Sequence, residues 1–93
     1  MAKFLAVNWR DLRNPDAGGA EVHLHEILTR LAAKGHEVTL LTTGYAGARS
    51  EEEYDGMRVL RRGSWYNANF VLARYARSWL KNNPVDLVIE DIN

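Results

Sequence analysis

The fold is decided by residues 19–42, which read GAEVHLHEILTRLAAKGHEVTLLT. The first part carries apolar residues at helical spacing: Leu24, Ile27, Leu28 and Leu31. This spacing predicts an amphipathic helix over residues 19–34 with one apolar face. Gly35 is a typical helix-ending residue, because glycine accepts the left-handed conformation found just past a helix. The run Val38–Thr42 is rich in β-branched residues and predicts a strand.

The residues before this stretch supply a second strand. Phe4–Val7 is a short, continuous apolar run, which is typical of a parallel strand buried on both faces. Residues 8–17 break the apolar pattern, contain Asn14-Pro15-Asp16 and lead into two glycines, so they predict a loop. Strand, helix and strand together predict a right-handed β-α-β unit whose two strands lie parallel and adjacent.

The second half of the chain predicts more elements of the same kind. Residues 44–53 are small and polar and predict a surface loop, and Tyr54-Asp55-Gly56-Met57 predicts a tight hairpin turn. Met57–Arg61 predicts a third strand, and its arginines favour a place at the sheet edge. A second helix is expected over 67–82, with Tyr75 and Trp79 on its apolar face, and a fourth strand over 86–90.

The predicted fold class is therefore α/β: a Rossmann-like three-layer sandwich with a mostly parallel four-strand sheet. If its strand order is third, second, first, fourth, the order reverses between the first and the fourth strand. In such sheets ligands bind beyond the carboxyl ends of the strands, where the strand order reverses. The loop after the first strand and the terminal residues Asp91, Ile92 and Asn93 would flank that place. We expect this loop either to contact an acceptor or a phosphate, or to be an ordinary solvated loop.

Composition excludes several classes of function. The 93 residues hold 12 Lys+Arg and 12 Asp+Glu, so the chain has no bulk positive field and we expect no nucleic-acid partner. There is no cysteine, and His23 and His25 are not spaced to share a helix face, so we expect no metal site. The apolar run near the start is too short for a signal peptide or a membrane span, which favours a cytoplasmic protein.

Two motifs carry a resemblance to a known family. They are Asp16-Ala17-Gly18-Gly19-Ala20-Glu21 at the start of the first helix, and the run over residues 28–40 that ends Gly35-His36-Glu37-Val38-Thr39-Leu40. With the order of strands and helices, they make essentially the whole chain similar to the N-terminal domain of GT-B glycosyltransferases of family four. The resemblance implies transfer of a hexose-like sugar, with retention, from a nucleotide sugar to a glycan or lipid-linked acceptor, without a bound metal or other cofactor.

The resemblance also implies that the acceptor and the donor are bound by different domains. Residues 1–93 would be a partial GT-B N-terminal domain, a half-domain on the acceptor side. In the family a second domain carries two glutamates that hold the donor, and this chain has no counterpart to it. We therefore expect no catalytic residue within these 93 residues and no sugar transfer by the isolated chain.

Five residues are candidates for binding substrate or its diphosphate: Arg13, Asp16, Gly18, Gly19 and Asn93. The two glycines are the most informative, because they let a phosphate approach the amides at a helix start. The alternative is that they only shape the turn between strand and helix. In a similar way, Glu21 is expected to favour the helix dipole and, from the resemblance, to help fix the glycine loop.

Other interpretations stay open at this point. The chain could be a stand-alone nucleotide- or phosphate-binding module, or a structural dimerisation module. We expect a homodimer, because the apolar fourth strand, with Val88 in the core, would offer a free edge. Arg58, Arg61 and Arg62 form a basic cluster that is either a solvated strand edge or a contact with anionic lipid, the latter implying a peripheral place at the inner membrane face.

Overall fold

A computed structural model describes residues 1–64 and 66–90 of the chain. Its helices and strands are, in chain order, β1 (Lys3–Val7), α1 (Gly19–Ala33), β2 (Glu37–Thr42), β3 (Glu51–Tyr54), β4 (Met57–Arg61), α2 (Ala68–Asn82) and β5 (Leu87–Glu90). Both predicted helices and all four predicted strands are present at or within a residue or so of their expected bounds.

The strands form one sheet in the order β3-β4-β2-β1-β5. β1 pairs in parallel with β2 and with β5, and β2 pairs in parallel with β4. The predicted β-α-β unit is confirmed, and the predicted strands lie in the order third, second, first, fourth. The fifth strand was not predicted. β3 pairs antiparallel with β4, and the loop prediction is therefore wrong for residues 51–53.

Cross-strand charge pairing explains this missed strand. Three consecutive glutamates have a low preference for strands, but here they lie beside the arginines of β4. Glu51 contacts Arg58, and Glu52 contacts Arg61. Opposite charges paired across neighbouring strands stabilise a sheet. As a result β4 is an interior strand with β3 outside it, and the prediction that Met57–Arg61 forms the edge is wrong.

The turn between these two strands is the predicted hairpin. Asp55 has φ of 52° and Gly56 has φ of 80°. Two successive positive φ values are the signature of a type I′ turn, which fits the twist of antiparallel strands. The Asp-Gly pair thus fixes how β3 folds back onto β4.

One helix covers each face of the sheet, which gives the three predicted layers. On one face Leu24 and Leu28 of α1 are buried with side chains of β1, β2 and β4. On the other face Leu72 of α2 is buried, and the predicted core residues Tyr75 and Trp79 pack beside it. Ile27 does not belong to this core, since 39% of its surface is exposed. It lies about 100° around the helix axis from Leu28, at the border of the apolar face of α1.

Strand β5 is the other edge of the sheet. It has a hydrogen-bonded neighbour on one side, β1. Leu87 is 52% exposed and Val88 is 41% exposed, so the prediction that Val88 is a core residue is wrong. Of its apolar side chains Ile89 packs against the core on the α1 face, and Leu87 and Val88 belong to neither core cluster.

Candidate functional site

Two neighbouring loops meet at the carboxyl end of the sheet. The β1–α1 loop (residues 8–18) follows β1, and the β2–β3 loop (residues 43–50) follows β2. Strand order reverses between β1 and β5, which is where open α/β sheets bind ligands. The predicted third contributor, residues 91–93 with Asn93, lies outside the described residues.

The β1–α1 loop is held by short-range hydrogen bonds rather than left to solvent. The backbone N–H of Asn14 donates to the carbonyl of Asp11 at 3.1 Å, and that of Ala17 donates to the carbonyl of Asn14 at 3.0 Å. The side-chain oxygen of Asn14 accepts the N–H of Asp16 at 2.8 Å. Asn14 is buried, so the loop is a chain of turns built around an internal amide.

Helix α1 begins where this loop ends. Gly18 is the residue before its first turn, and no side chain caps the helix among the described residues. The reverse contact is present, because the N–H of Gly18 donates to a carboxylate oxygen of Glu21 at 2.9 Å. Glu21 thus fixes the glycine loop as the resemblance implies, and its charge favours the positive end of the helix dipole. Gly18, Gly19 and Ala20 at this helix start are exposed.

The two glycines are not required by the chain's own geometry. A side-chain carbon added at Gly18 would come no closer than 4.0 Å to another atom, the carboxylate oxygen of Glu21, and one added at Gly19 would meet nothing within 4 Å. Neither residue has a positive φ. Packing and backbone strain therefore do not explain glycine here, and both positions leave open space in front of the helix start.

A cavity of about 410 Å³ lies between the two loops. The β1–α1 loop contributes Arg10, Asn14, Pro15 and Asp16, and the β2–β3 loop contributes Thr43, Gly44, Tyr45 and Ala46. The walls are joined beneath it, because the Thr43 hydroxyl donates to the carbonyl of Trp9 at 2.5 Å. The residues that line the cavity thus include a guanidinium (Arg10), a carboxylate (Asp16) and an aromatic ring (Tyr45), and Asp16 precedes Gly18 by two residues.

Behind the cavity lies a buried charge network centred on Asp11. Its carboxylate accepts hydrogen bonds from Arg61 Nε at 3.0 Å, from Arg61 Nη2 at 2.8 Å and from the Tyr54 hydroxyl at 2.6 Å. The side chain of Asp11 is 0% exposed and that of Arg61 is 1% exposed. Arg61 also donates to Glu52 at 2.7 Å. The β1–α1 loop is therefore bound to the β3–β4 hairpin by a two-pronged ion pair.

These contacts shift the ionisation of the groups involved. Burial opposes the charge on Asp11, but hydrogen bonds from Arg61 and Tyr54 outweigh it and hold the pKa of Asp11 below its ordinary value. Burial, together with the hydrogen bond to Asp11, raises the pKa of Tyr54. The hydrogen bond to Asp11 raises the pKa of Arg61 despite burial. Asp11 and Arg61 therefore both keep their charges, and the Tyr54 hydroxyl keeps its proton.

The structure separates the predicted site residues. Asp16 lines the cavity, and Gly18 and Gly19 lie at the helix start beside it. Arg13 instead stacks over the ring of Tyr54 at 4.1 Å and donates to Glu52 at 3.2 Å, so its guanidinium faces the hairpin.

Sequence reasoning missed the partners of Asp11. Neither interpretation of the first loop, substrate contact or solvated surface, fits this buried carboxylate. The predicted basic cluster is also wrong, because Arg61 is buried, Arg58 pairs with Glu51, and Arg62 donates to the Tyr75 hydroxyl at 3.0 Å. Asp11 and Arg61 lie fifty positions apart. The one available signal was a pair of opposite charges at the carboxyl ends of strands that the predicted order places close together.

Comparison with known proteins gives one match. A family model described as Glycosyltransferase Family 4 matches residues 17–91. No curated protein and no solved structure gives a significant match. Among residues 1–64 and 66–90, no group of three or more His, Asp or Glu side chains could hold a metal ion, and no helix there is long and apolar enough to cross a membrane. The matched range includes the glycine loop, both helices and the sheet from β2 to β5, and the chain belongs to glycosyltransferase family 4.

Proposed function

We propose that residues 1–93 form the acceptor-side, N-terminal half-domain of a GT-B glycosyltransferase, and that the glycine loop forms one wall of the pocket for the donor diphosphate. Family membership supports sugar transfer from a nucleotide sugar. The open space at Gly18 and Gly19 is the observation that supports the more specific role. A helix start with unobstructed amides attracts phosphate oxygens through hydrogen bonds and the helix dipole.

The chemistry of this wall needs no metal. In transfer from a nucleotide sugar, the bond between the sugar and the diphosphate breaks and negative charge develops on the departing phosphate. Amides fixed at the start of α1 stabilise that charge without rearranging, because the helix already orients them. Glu21 keeps the loop in place through the N–H of Gly18.

The neighbouring cavity suits the acceptor. Its volume falls in the range of ligand pockets, roughly 300–1,000 Å³. The Asp16 carboxylate accepts sugar hydroxyls, and the Tyr45 ring offers an apolar face. The Arg10 guanidinium suits the phosphate of a lipid-linked acceptor. We propose a glycan or lipid-linked glycan as the acceptor and a hexose as the transferred sugar, from the family resemblance.

A second domain would supply the rest of the donor site. In the family two glutamates of that domain hold the nucleotide sugar, with retention of configuration, and we propose the same arrangement for this protein. The 93-residue chain alone should then bind a diphosphate weakly and transfer no sugar. A cytoplasmic place near the inner membrane face rests on the proposed lipid-linked acceptor, because the predicted arginine cluster is not a surface patch.

Strand β5 supports a proposal about assembly. It is a sheet edge, and Leu87 and Val88 are exposed beside its unpaired side. A strand edge with apolar neighbours favours pairing with another strand. We therefore propose that two copies of this chain associate through β5.

The glycine loop is tested by the variant Gly19→Ala. An added methyl group meets nothing in the protein, and alanine is preferred over glycine in a helix by up to about 1 kcal/mol. The variant should therefore be at least as stable as the parent yet bind inorganic pyrophosphate more weakly in an NMR titration. Ala33→Gly at the other end of α1 is the control and should leave pyrophosphate affinity unchanged. Equal affinity in parent and Gly19→Ala would contradict the diphosphate role.

A further inference from the structure

We propose that Arg61 is a positioning residue that fixes both walls of the cavity at once, although it does not line the cavity itself. Its first anchor is the β1–α1 loop. Two nitrogens of its guanidinium bind the carboxylate of Asp11, which lies between Arg10 and Asn14, two residues of the cavity wall. Moving Arg61 would therefore move this loop.

The second anchor of Arg61 is the β2–β3 loop. Its third nitrogen, Nη1, donates to the carbonyl of Arg49 at 3.1 Å. The guanidinium carbon also lies 5.1 Å from the centre of the Tyr45 ring, within the range of a cation–π contact. Tyr45 lines the cavity on the side opposite Asn14. One side chain thus reaches both loops.

A rigid base makes this arrangement effective. Arg61 is the last residue of an interior strand, opposite Thr42 of β2, and Glu52 of β3 binds the same guanidinium. The fork of an arginine holds several acceptors in a fixed plane, which the single ammonium of lysine cannot reproduce. The spacing of the two walls is therefore set by guanidinium geometry and not by charge alone.

The experiment compares Arg61→Lys with Arg58→Lys. Both variants keep the positive charge on the same strand, but Arg58 is a half-exposed residue paired with Glu51. Native-state amide hydrogen exchange is measured by NMR on the whole chain. The reporters are hydrogen-bonded loop amides, Asn14 and Ala17 on one wall and Gly44 and Ala48 on the other, and none of them bonds across to the opposite wall.

Arg61→Lys should raise exchange at all four reporters by about tenfold or more, because charge-assisted hydrogen bonds hold both loops. Exchange in β1 and β2 should stay within about threefold of the parent, which local opening allows. Arg58→Lys should change neither. A purely structural role would instead raise exchange throughout the sheet. That result, or faster exchange in one loop only, overturns the inference.

A second variant covers the case in which Arg61→Lys does not fold. Tyr54→Phe removes one hydrogen bond to Asp11 and leaves every contact of Arg61 in place. It should raise exchange at Asn14 and Ala17 and leave Gly44 and Ala48 unchanged, because their amides do not bond to the β1–α1 loop. Any other pattern shows that the walls are fixed by a different route, and the inference fails.

The consequence for a ligand rests on the proposed function, and one measurement keeps the two apart. Pyrophosphate affinity should fall by on the order of tenfold in Arg61→Lys, because the loop that Asp11 holds leads directly into Gly18, and it should stay constant in Arg58→Lys. If the parent chain does not bind pyrophosphate at all, the proposed diphosphate wall is wrong, while the exchange pattern still decides the role of Arg61. If the parent binds and Arg61→Lys binds equally well, the positioning role is wrong.

Discussion

Replacing Asp11 by alanine should be among the most damaging single changes in this chain. The variant leaves the Arg61 guanidinium buried without the carboxylate that binds two of its nitrogens. It also leaves the Tyr54 hydroxyl without its acceptor. Removing one partner of a buried ion pair costs about 3–5 kcal/mol. Because Glu52 and the carbonyl of Arg49 still bind Arg61, we expect the lower end, about 3 kcal/mol.

Urea unfolding followed by circular dichroism measures this free energy directly. For a domain of this size, a loss of about 3 kcal/mol lowers the midpoint of thermal unfolding by roughly 12–24 °C. Arg58→Ala is the control. It breaks a pair whose side chains are 45% and 47% exposed, which should cost about 1 kcal/mol or less.

A double variant separates the cost of an unpaired charge from the value of the pair. Replacing both Asp11 and Arg61 by leucine removes the two buried charges together, so it should be less destabilising than Asp11→Ala alone. The reasoning is refuted if Asp11→Ala unfolds at the same urea concentration as Arg58→Ala, since the network would then be worth no more than a surface pair.

Three further predictions concern the acid stability of the Asp11 network, the backbone at Gly63 and the edge strand β5. The free energy of unfolding should fall as the pH drops below the ordinary pKa of aspartate, about 4, because a carboxylate whose pKa is lowered in the folded state stabilises the fold only while it is ionised. In urea titrations at several pH values, Asp11→Asn should lack this part of the acid loss. The same pH profile in parent and variant would contradict the prediction. Gly63→Ala should destabilise the fold by more than about 1 kcal/mol, because Gly63 has φ of 71° and an added carbon would lie 2.8 Å from an Asn67 oxygen. A variant that unfolds at or above the midpoint temperature of the parent would contradict this strain. Light scattering at micromolar concentration should give the mass of a dimer, and Val88→Lys, on the exposed edge, should shift it to one chain; a monomeric parent would rule out pairing through β5.

Local patterns were enough to predict most of the fold. The helical spacing of Leu24 and Leu28, the stop at Gly35 and the β-branched second strand are short-range signals, and each is confirmed. The Asp55-Gly56 turn is another, because its positive φ values are a property of the two residues themselves. The parallel pairing of the first two strands then followed from the length of the helix between them.

The missed features depend on long-range pairing. Glu51 to Glu53 form a strand only because the arginines of β4 lie beside them, and Arg61 is buried only because Asp11 reaches it from another loop. When a charged residue is considered without its distant partner, its charge predicts a place on the protein surface. The same limit applies to the candidate site, where Gly18 and Gly19 were visible in the sequence but the cavity beside them required both loops to be placed.

Amide chemical-shift mapping with a nucleotide sugar tests the central claim most directly. Isotope-labelled chain is titrated with UDP-glucose, and separately with pyrophosphate, to millimolar concentrations. The account predicts that the largest shifts fall on the amides of Gly18, Gly19 and Ala20 with either ligand, because both carry the diphosphate group that the helix start would bind. Shifts confined to the amino ends of the strands, around Lys3 and Val85, or no shifts with either ligand, would contradict it.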